Sequence, residues 1–289
     1  MPVKTRPYVP WLYLLAAGVL ILFFLVYPTI NTLVMSFKDF ESVEFVGLEN
    51  YQYVFTDDAT TLAIRNNLLW MILFPLLSVS LGLLLAVLVD KVRYEKVLKA
   101  VIFLPMAISF VGAGVVWRFM YAFRPVEVGQ VGLLNMIIVT LGGEPMDWLS
   151  RGPWVNNFAL VIIGVWIWTG FCMTAFSAAY KGLPAEIMEA ARIDGASEWH
   201  LFWKITIPML KTTITTVTVT MLVFALKVFD IIYITTNGLF DTEVLANRMY
   251  KELFLYWNTG RASAIATILL IASMIIMAIS VFRKPSREG

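Results

Sequence analysis

Long apolar runs alternate with short polar interruptions along this chain. A helix needs about 20 apolar residues to cross the hydrocarbon of a bilayer. Six segments meet that need, at about 11–34, 67–89, 98–120, 157–179, 209–235 and 262–282. Apolar positions surround each segment instead of forming one stripe, the pattern of helices immersed in lipid. The expectation is an all-α polytopic membrane protein, a single transmembrane domain over residues 1–289.

The first segment has Lys4 and Arg6 ahead of it, as a secretory signal would. It is longer than the roughly 7–15 residues of a signal core, and Tyr27-Pro28-Thr29-Ile30-Asn31 follows in place of a small-x-small cleavage site, so it reads as a retained span. Basic residues orient the spans. Six crossings put both termini on one side, with Lys4, Arg6, Lys91, Arg93, Lys96, Lys99, Lys181, Arg192, Lys204, Lys211, Arg283, Lys284 and Arg287. The stretch 38–65 on the other side holds Asp39, Glu41, Glu44, Glu49, Asp57 and Asp58 against Lys38 and Arg65. Both termini are therefore expected in the cytoplasm, with the protein multi-pass. Tyr51, Tyr53, Tyr121, Trp148, Trp154, Tyr250, Tyr256 and Trp257 fall in the outer loops, as a headgroup belt or as contacts for an external protein. Pro28, Pro75 and Pro105 read as packing kinks or hinges. Gly112, Gly114, Gly164 and Gly170 read as points of close helix approach.

Composition narrows the function. The chain is 60% hydrophobic and 15% charged, against about 25% charged in soluble domains. A net charge of +2 argues against nucleic acid as partner. The single Cys172 excludes an internal disulfide and reads as a small core residue. There is no G-x-x-x-x-G-K-[ST] loop, no H-E-x-x-H and no G-x-S-x-G, and the sole histidine, His200, reads as a packing or surface residue, so a catalytic or metal site is not expected.

The most informative stretch is polar and small, and lies between the fourth and fifth apolar segments on the basic side. Pro184 suits a first helical turn, and Ala185 to Arg192 are strong helix formers. Glu186 and Glu189 sit near the positive end of that helix, and Ala190 and Ala191 leave it a thin face. Asp194-Gly195 is a turn signal, and Ser197 caps a second short helix through Trp199, Phe202 and Trp203. Physics alone allows two uses for such an elbow: an interfacial anchor held by Trp199 and Trp203, or a docking device.

Its spacing resembles the E-A-A-x3-G-x9-I-x-L-P signature of permease subunits of binding-protein-dependent ABC importers. Here the residues are Glu189, Ala190, Ala191, Gly195, Ile205 and Pro208, with Ile207 in place of leucine. Ile193-Asp194-Gly195-Ala196-Ser197 and Pro208-Met209-Leu210 are similar to the carbohydrate branch. The resemblance implies a type I importer permease fold, with residues 181–208 as the coupling elbow that docks in a cytoplasmic ATPase. It also implies a second permease subunit, two ATPase copies that hold ATP and magnesium, and an external sugar-binding protein. This chain would be non-catalytic, carry no cofactor and sit in the inner membrane of a bacterial cell.

Lys227 and Asp230 lie three residues apart in the fifth segment. On one continuous helix they share a face and pair. Charges in hydrocarbon are costly, at about 2.5–3.5 kcal/mol each on insertion scales, so the pair should face the interior or a watery cavity. The pair reads as a structural ion pair, a bond to the partner subunit, or a hydrogen-bonding group for sugar hydroxyls. Thr235-Thr236-Asn237-Gly238, without a Gly-Gly-Pro run, resembles the α-glucoside-type branch, which implies sucrose, trehalose, maltose-like disaccharides or glucosylglycerol as cargo. From the same resemblance, Trp168, Phe171, Met221, Ala225 and Val228 match or neighbour the family's sugar-contacting positions, several of them apolar here where maltose permeases place polar groups. Phe224 and Asn237 complete the candidate path. Two other classes compete: a secondary transporter using Lys227 and Asp230 as coupling charges, which would need inverted repeats that the chain does not clearly show, and a membrane enzyme acting on a lipid-linked sugar.

Overall fold

The computed structural model describes residues 9–90, 92–125 and 127–282. Lys4, Arg6, Lys91, Arg283, Lys284 and Arg287 of the orientation argument lie outside the described residues. Apart from one antiparallel bridge between Lys38 and Phe45, the described residues form helices and loops. Helix α1 (Val9–Ile21) runs through a wider π turn (Leu22–Val26) into α2 (Tyr27–Met35). The cause is local: Pro28 has no N–H to give, and the Tyr27 N–H reaches back to Leu22 O. Then follow α3 (Glu49–Thr56), α4 (Asp58–Val89), α5 (Glu95–Phe103) with a 3-10 turn (Leu104–Ala107), α6 (Phe110–Met120), α7 (Leu133–Thr140) and α8 (Val155–Lys181). The remainder is α9 (Ala185–Ile193), α10 (Glu198–His200) with a π turn (Leu201–Thr206), α11 (Ile207–Met209), α12 (Lys211–Leu226), α13 (Asp230–Thr235), α14 (Leu245–Phe254) and α15 (Thr259–Phe282).

Among these, four helices are long and apolar enough to cross a membrane, and up to six if each bent pair counts as one span. The expected third span, 98–120, is thus not one rod. Glu95–Ala107 and Phe110–Met120 meet at 100°. Pro105 withholds one helical N–H, and Ser109 starts a new helix by accepting the Gly112 N–H at 3.0 Å. The expected fifth span, 209–235, also breaks. It bends by 72° at Leu210, and α12 stops at Leu226 before α13 resumes at Asp230.

The chain forms two compact units. The first holds residues up to 57 with 248–270. Its polar knot is built on α3. Asn50 Nδ2 donates to Ser36 O (3.0 Å) and Lys38 O (2.7 Å), and the Ser36 and Tyr51 hydroxyls share a bond of 2.7 Å. Tyr53 donates to Glu252 (3.0 Å), which pairs with Arg248 at 2.8 Å, and the Arg261 guanidinium lies 3.7 Å over the Tyr53 ring. Burial pushes the Tyr53 phenol up, against the pull of Arg248.

The second unit, residues 58–247 with 271 onward, is organised around α4 and α8. Trp70 and Phe74 of α4 and Leu160, Ile163, Met173 and Phe176 of α8 are fully buried. The two helices approach closely because small residues face each other. A Cβ on Gly82 would overlap Cys172, and one on Gly164 would sit 3.0 Å from the Trp70 ring. The single cysteine is a buried free thiol, as its small size suggests. Tyr121, expected among the headgroup aromatics, is instead 2% exposed: it donates to Ala159 O at 2.9 Å and packs against Trp117 and Trp148.

Candidate functional site

The elbow begins three residues after α8 ends. Pro184 takes the N-cap position of α9, one residue ahead of the expected first turn. The helix ends where Gly195 adopts φ +84°, a conformation that costs other residues about 1–2 kcal/mol. That turn lets the Gly195 N–H reach Arg192 O (3.1 Å) and the Ala196 N–H reach Ala191 O (2.9 Å), satisfying carbonyls that the helix end leaves free. Ser197 then accepts the His200 N–H at 3.2 Å and opens α10. The Arg192–Glu198 pair, 3.0 Å, closes the two arms.

Almost all of this motif faces outward. Glu189, Ala190, Asp194, Gly195 and Pro208 are exposed, Ala191 and Ile205 are half-buried, and Ile193 is 85% exposed. Glu189 forms no ion pair among the described residues. Ala191, Asp194, Gly195, Ala196, Ser197, His200 and Ile205 line a concavity of about 560 Å³. Leu201, Thr206 and Leu210, each about 2% exposed, root the elbow in the unit below. Trp199 and Trp203 contact each other with ring centres 5.5 Å apart, and both remain exposed. The elbow is therefore a capped projection with a thin, uncovered crest of small and apolar residues beside two exposed carboxylates.

The second feature is the broken fifth segment. Where α12 stops, the freed carbonyls need donors from elsewhere. Asn67 of α4 supplies them: its Nδ2 donates to Leu226 O (3.0 Å) and Ala225 O (3.3 Å), and its Oδ1 accepts the Leu245 N–H at 2.7 Å. Asn66 donates to Asp241 O and Glu243 O, both at 2.8 Å. Asn156 and Asn157 of α8 reach Phe240 O and Asp241 O. Four buried asparagines thus hold the chain from 225 to 245 in its irregular path. Adjacent amides at the edges of two apolar segments were the signal available in the sequence.

Lys227 and Asp230 do not pair. The break removes the helical register that would have put them on one face, and Lys227 is exposed while Asp230 is half-buried. Met221, Ala225 and Val228 are at most 1% exposed, closed inside the unit. Trp168, Phe171 and Phe224 are half-buried and cluster together: Phe224 lies 4.9 Å and Phe171 5.5 Å from the Trp168 ring. Phe110 adds a further ring at 5.4 Å from Phe224. The Trp168 indole N–H is buried with no hydrogen-bond partner among the described residues. Asn237, with φ 51°, closes α13 by donating its backbone N–H to Ile232 O at 2.8 Å. No group of three or more His, Cys, Asp or Glu side chains that could hold a metal occurs among the described residues.

Residues 78–284 match the family described as binding-protein-dependent transport system inner membrane component. The chain is 53% identical over 265 residues to the osmoprotective compounds uptake permease protein GgtC of Synechocystis sp., covering 92% of this chain and 95% of that protein. It is 43% identical over 281 residues to the alpha-glucoside transport system permease protein AglF of Rhizobium meliloti, covering 97% and 83%. Its fold matches, with a TM-score of 0.82 at 22% identity, a chain of a bacterial alginate ABC transporter crystallised in complex with an alginate pentasaccharide-bound periplasmic protein, covering 94% of this chain and 92% of that one.

Proposed function

The chain belongs to the family of binding-protein-dependent transport system inner membrane components, and on that premise we propose that it is a non-catalytic permease subunit of an ATP-driven importer for a small α-glucoside. The observation that carries the reading is the capped, uncovered crest of α9. Glu189 offers a carboxylate to a basic group of the ATPase, Ala190 and Ala191 allow close approach, and Gly195 and Asp194 set the turn between the two arms, with Ile205 and Pro208 leading into α12. The relatives named for osmoprotective compounds and for alpha-glucosides support sucrose, trehalose or glucosylglycerol as the cargo class. Both termini and the elbow face the cytoplasm, where a separate ATPase dimer binds ATP and magnesium. A second permease completes the pathway, and an external sugar-binding protein delivers the cargo.

The aromatic cluster of Trp168, Phe171 and Phe224, with one indole N–H unsatisfied, is the apolar face on which a sugar ring would stack. Met221, Ala225 and Val228 are closed inside the unit, Lys227 and Asp230 lie at the break that follows α12, and Asn237 follows α13.

Uptake into proteoliposomes tests the reading. Trehalose and sucrose accumulation should need ATP, the ATPase chain and the binding protein together, and Gly195→Pro should abolish it while membrane insertion is retained, because proline cannot adopt φ +84°. Uptake by this chain alone under an ion gradient would overturn it in favour of a secondary transporter.

A further inference from the structure

Outside the elbow and the break, four charged side chains of the described residues gather where α4, α5 and α8 converge. Lys181, the last residue of α8, reaches Asp90 at 3.3 Å and Glu95 at 2.5 Å. Lys99, one turn into α5, pairs with the same two carboxylates, lying 3.6 Å from Asp90, and also donates to the Ser177 hydroxyl of α8. Two bases thus share two acids, and each acid is bridged from both α5 and α8. Asp90, Glu95 and Lys99 are 17–23% exposed on their side chains, and Lys181 is 50% exposed.

Stability is a poor explanation for this arrangement. Partly exposed ion pairs contribute about 0–1 kcal/mol each. Its position says more. Only Gly182, Leu183 and Pro184 separate Lys181 from α9, so the elbow is tethered by three residues to the centre of the cluster. On the far side, Glu95 is the first residue of α5, the inner half of the segment that breaks at 100°. The outer half, α6, is closely fitted to α13: a Cβ on Gly114 would lie 2.6 Å from Ile234 Cγ2, and Arg118 donates to Ile234 O at 3.4 Å. Elbow, cluster, α5, hinge, α6 and α13 form one unbroken series of contacts ending beside the break at 227–229.

We propose that Asp90, Glu95, Lys99 and Lys181 are a rigid joint that makes α5 follow the elbow, so that motor closure reaches the broken helices through the hinge at Ile108–Ser109. The joint positions moving parts and touches no cargo. This rests on the coupling role proposed for α9. A rigid joint stays closed throughout the cycle, and that is the testable content.

The experiment uses the whole importer in nanodiscs, with spin labels at two exposed sites, Val97 on α5 and Ile193 at the end of α9. The probe is ATP with vanadate, which traps a closed motor without any sugar. In the native background the Val97–Ile193 distance should be the same before and after trapping. In the Asp90→Asn, Glu95→Gln double variant the two labels should separate on trapping. ATP hydrolysis stimulated by the binding protein carrying trehalose should fall about five-fold or more in that variant, the lower end of an ordinary coupling free energy. Exchanging all four charges, Asp90→Lys and Glu95→Lys with Lys99→Glu and Lys181→Glu, should restore both readouts, which a mere packing role would not produce. A native distance that changes on trapping, a double variant indistinguishable from the native protein, or single variants that fail without rescue by the exchange would each overturn the joint. If the ATPase fails to co-purify, or Gly195→Pro couples normally, the elbow reading itself falls instead.

Discussion

Replacing Asn67 by leucine should cost the protein a large part of its stability. The side chains are similar in size, so the change is one of hydrogen bonding. Leucine leaves Leu226 O and the Leu245 N–H with no donor or acceptor in a site where Asn67 is 2% exposed. Ala225 O suffers less, because it keeps bonds from the backbone N–H groups of Lys227 and Val228. Two stranded buried groups at about 1–3 kcal/mol each give about 2–6 kcal/mol. Against a total of about 5–15 kcal/mol that is a severe loss. Cys172 makes the assay simple, since it is the only thiol and is fully buried. Heating the detergent-solubilised protein with a thiol-reactive dye reports unfolding directly. The midpoint should fall by about 4–24 °C, taking about 2–4 °C per kcal/mol for a chain of a few hundred residues. A variant that melts within a degree or so of the native protein would refute the claim that this amide holds the break open.

Two further outcomes follow from the packing. Gly170→Ala should be destabilised by about 1–3 kcal/mol, because the new methyl would sit 2.5 Å from Ile102 O and 2.7 Å from Phe103 Cα, backbone atoms that cannot swing away; an unchanged Cys172 labelling midpoint would refute it. Lys227→Ala should leave that midpoint within about 0.5 kcal/mol of native, since Lys227 is exposed and forms no ion pair with Asp230; a loss of folded protein on the same assay would restore the pairing that the broken register excludes.

The elbow was legible in the sequence because its conformation is set locally. A proline, a run of alanines, an Asp-Gly turn and a capping serine each act on their own neighbours, and the structure places the alanines in α9 and the others at the ends of α9 and α10. The long apolar helices were legible for a similar reason: lipid solvates a whole segment whatever its partners are. The breaks were not. Pro105 marked the third segment, but the bend falls three to four residues later, where Ser109 caps the next helix. The fifth segment carries no proline or glycine at its break, and its irregular path is held by Asn67, 158 residues away in the chain. A pattern confined to a window of 20 residues could not contain that partner, so Lys227 and Asp230 were read on a helix that does not continue. The short helices α3, α7 and α14 leave no such signal either, since each is too short to register as a span.

The first helix has a consequence of its own. From Trp11 to Val34 not one described side chain is buried. Among the described residues of its own unit, nothing therefore dictates which greasy residue stands at these positions. That rod should accept wholesale shuffling of leucine, isoleucine, valine and phenylalanine, a freedom denied to α8, where a single added methyl at Gly164 or Gly170 meets a neighbour.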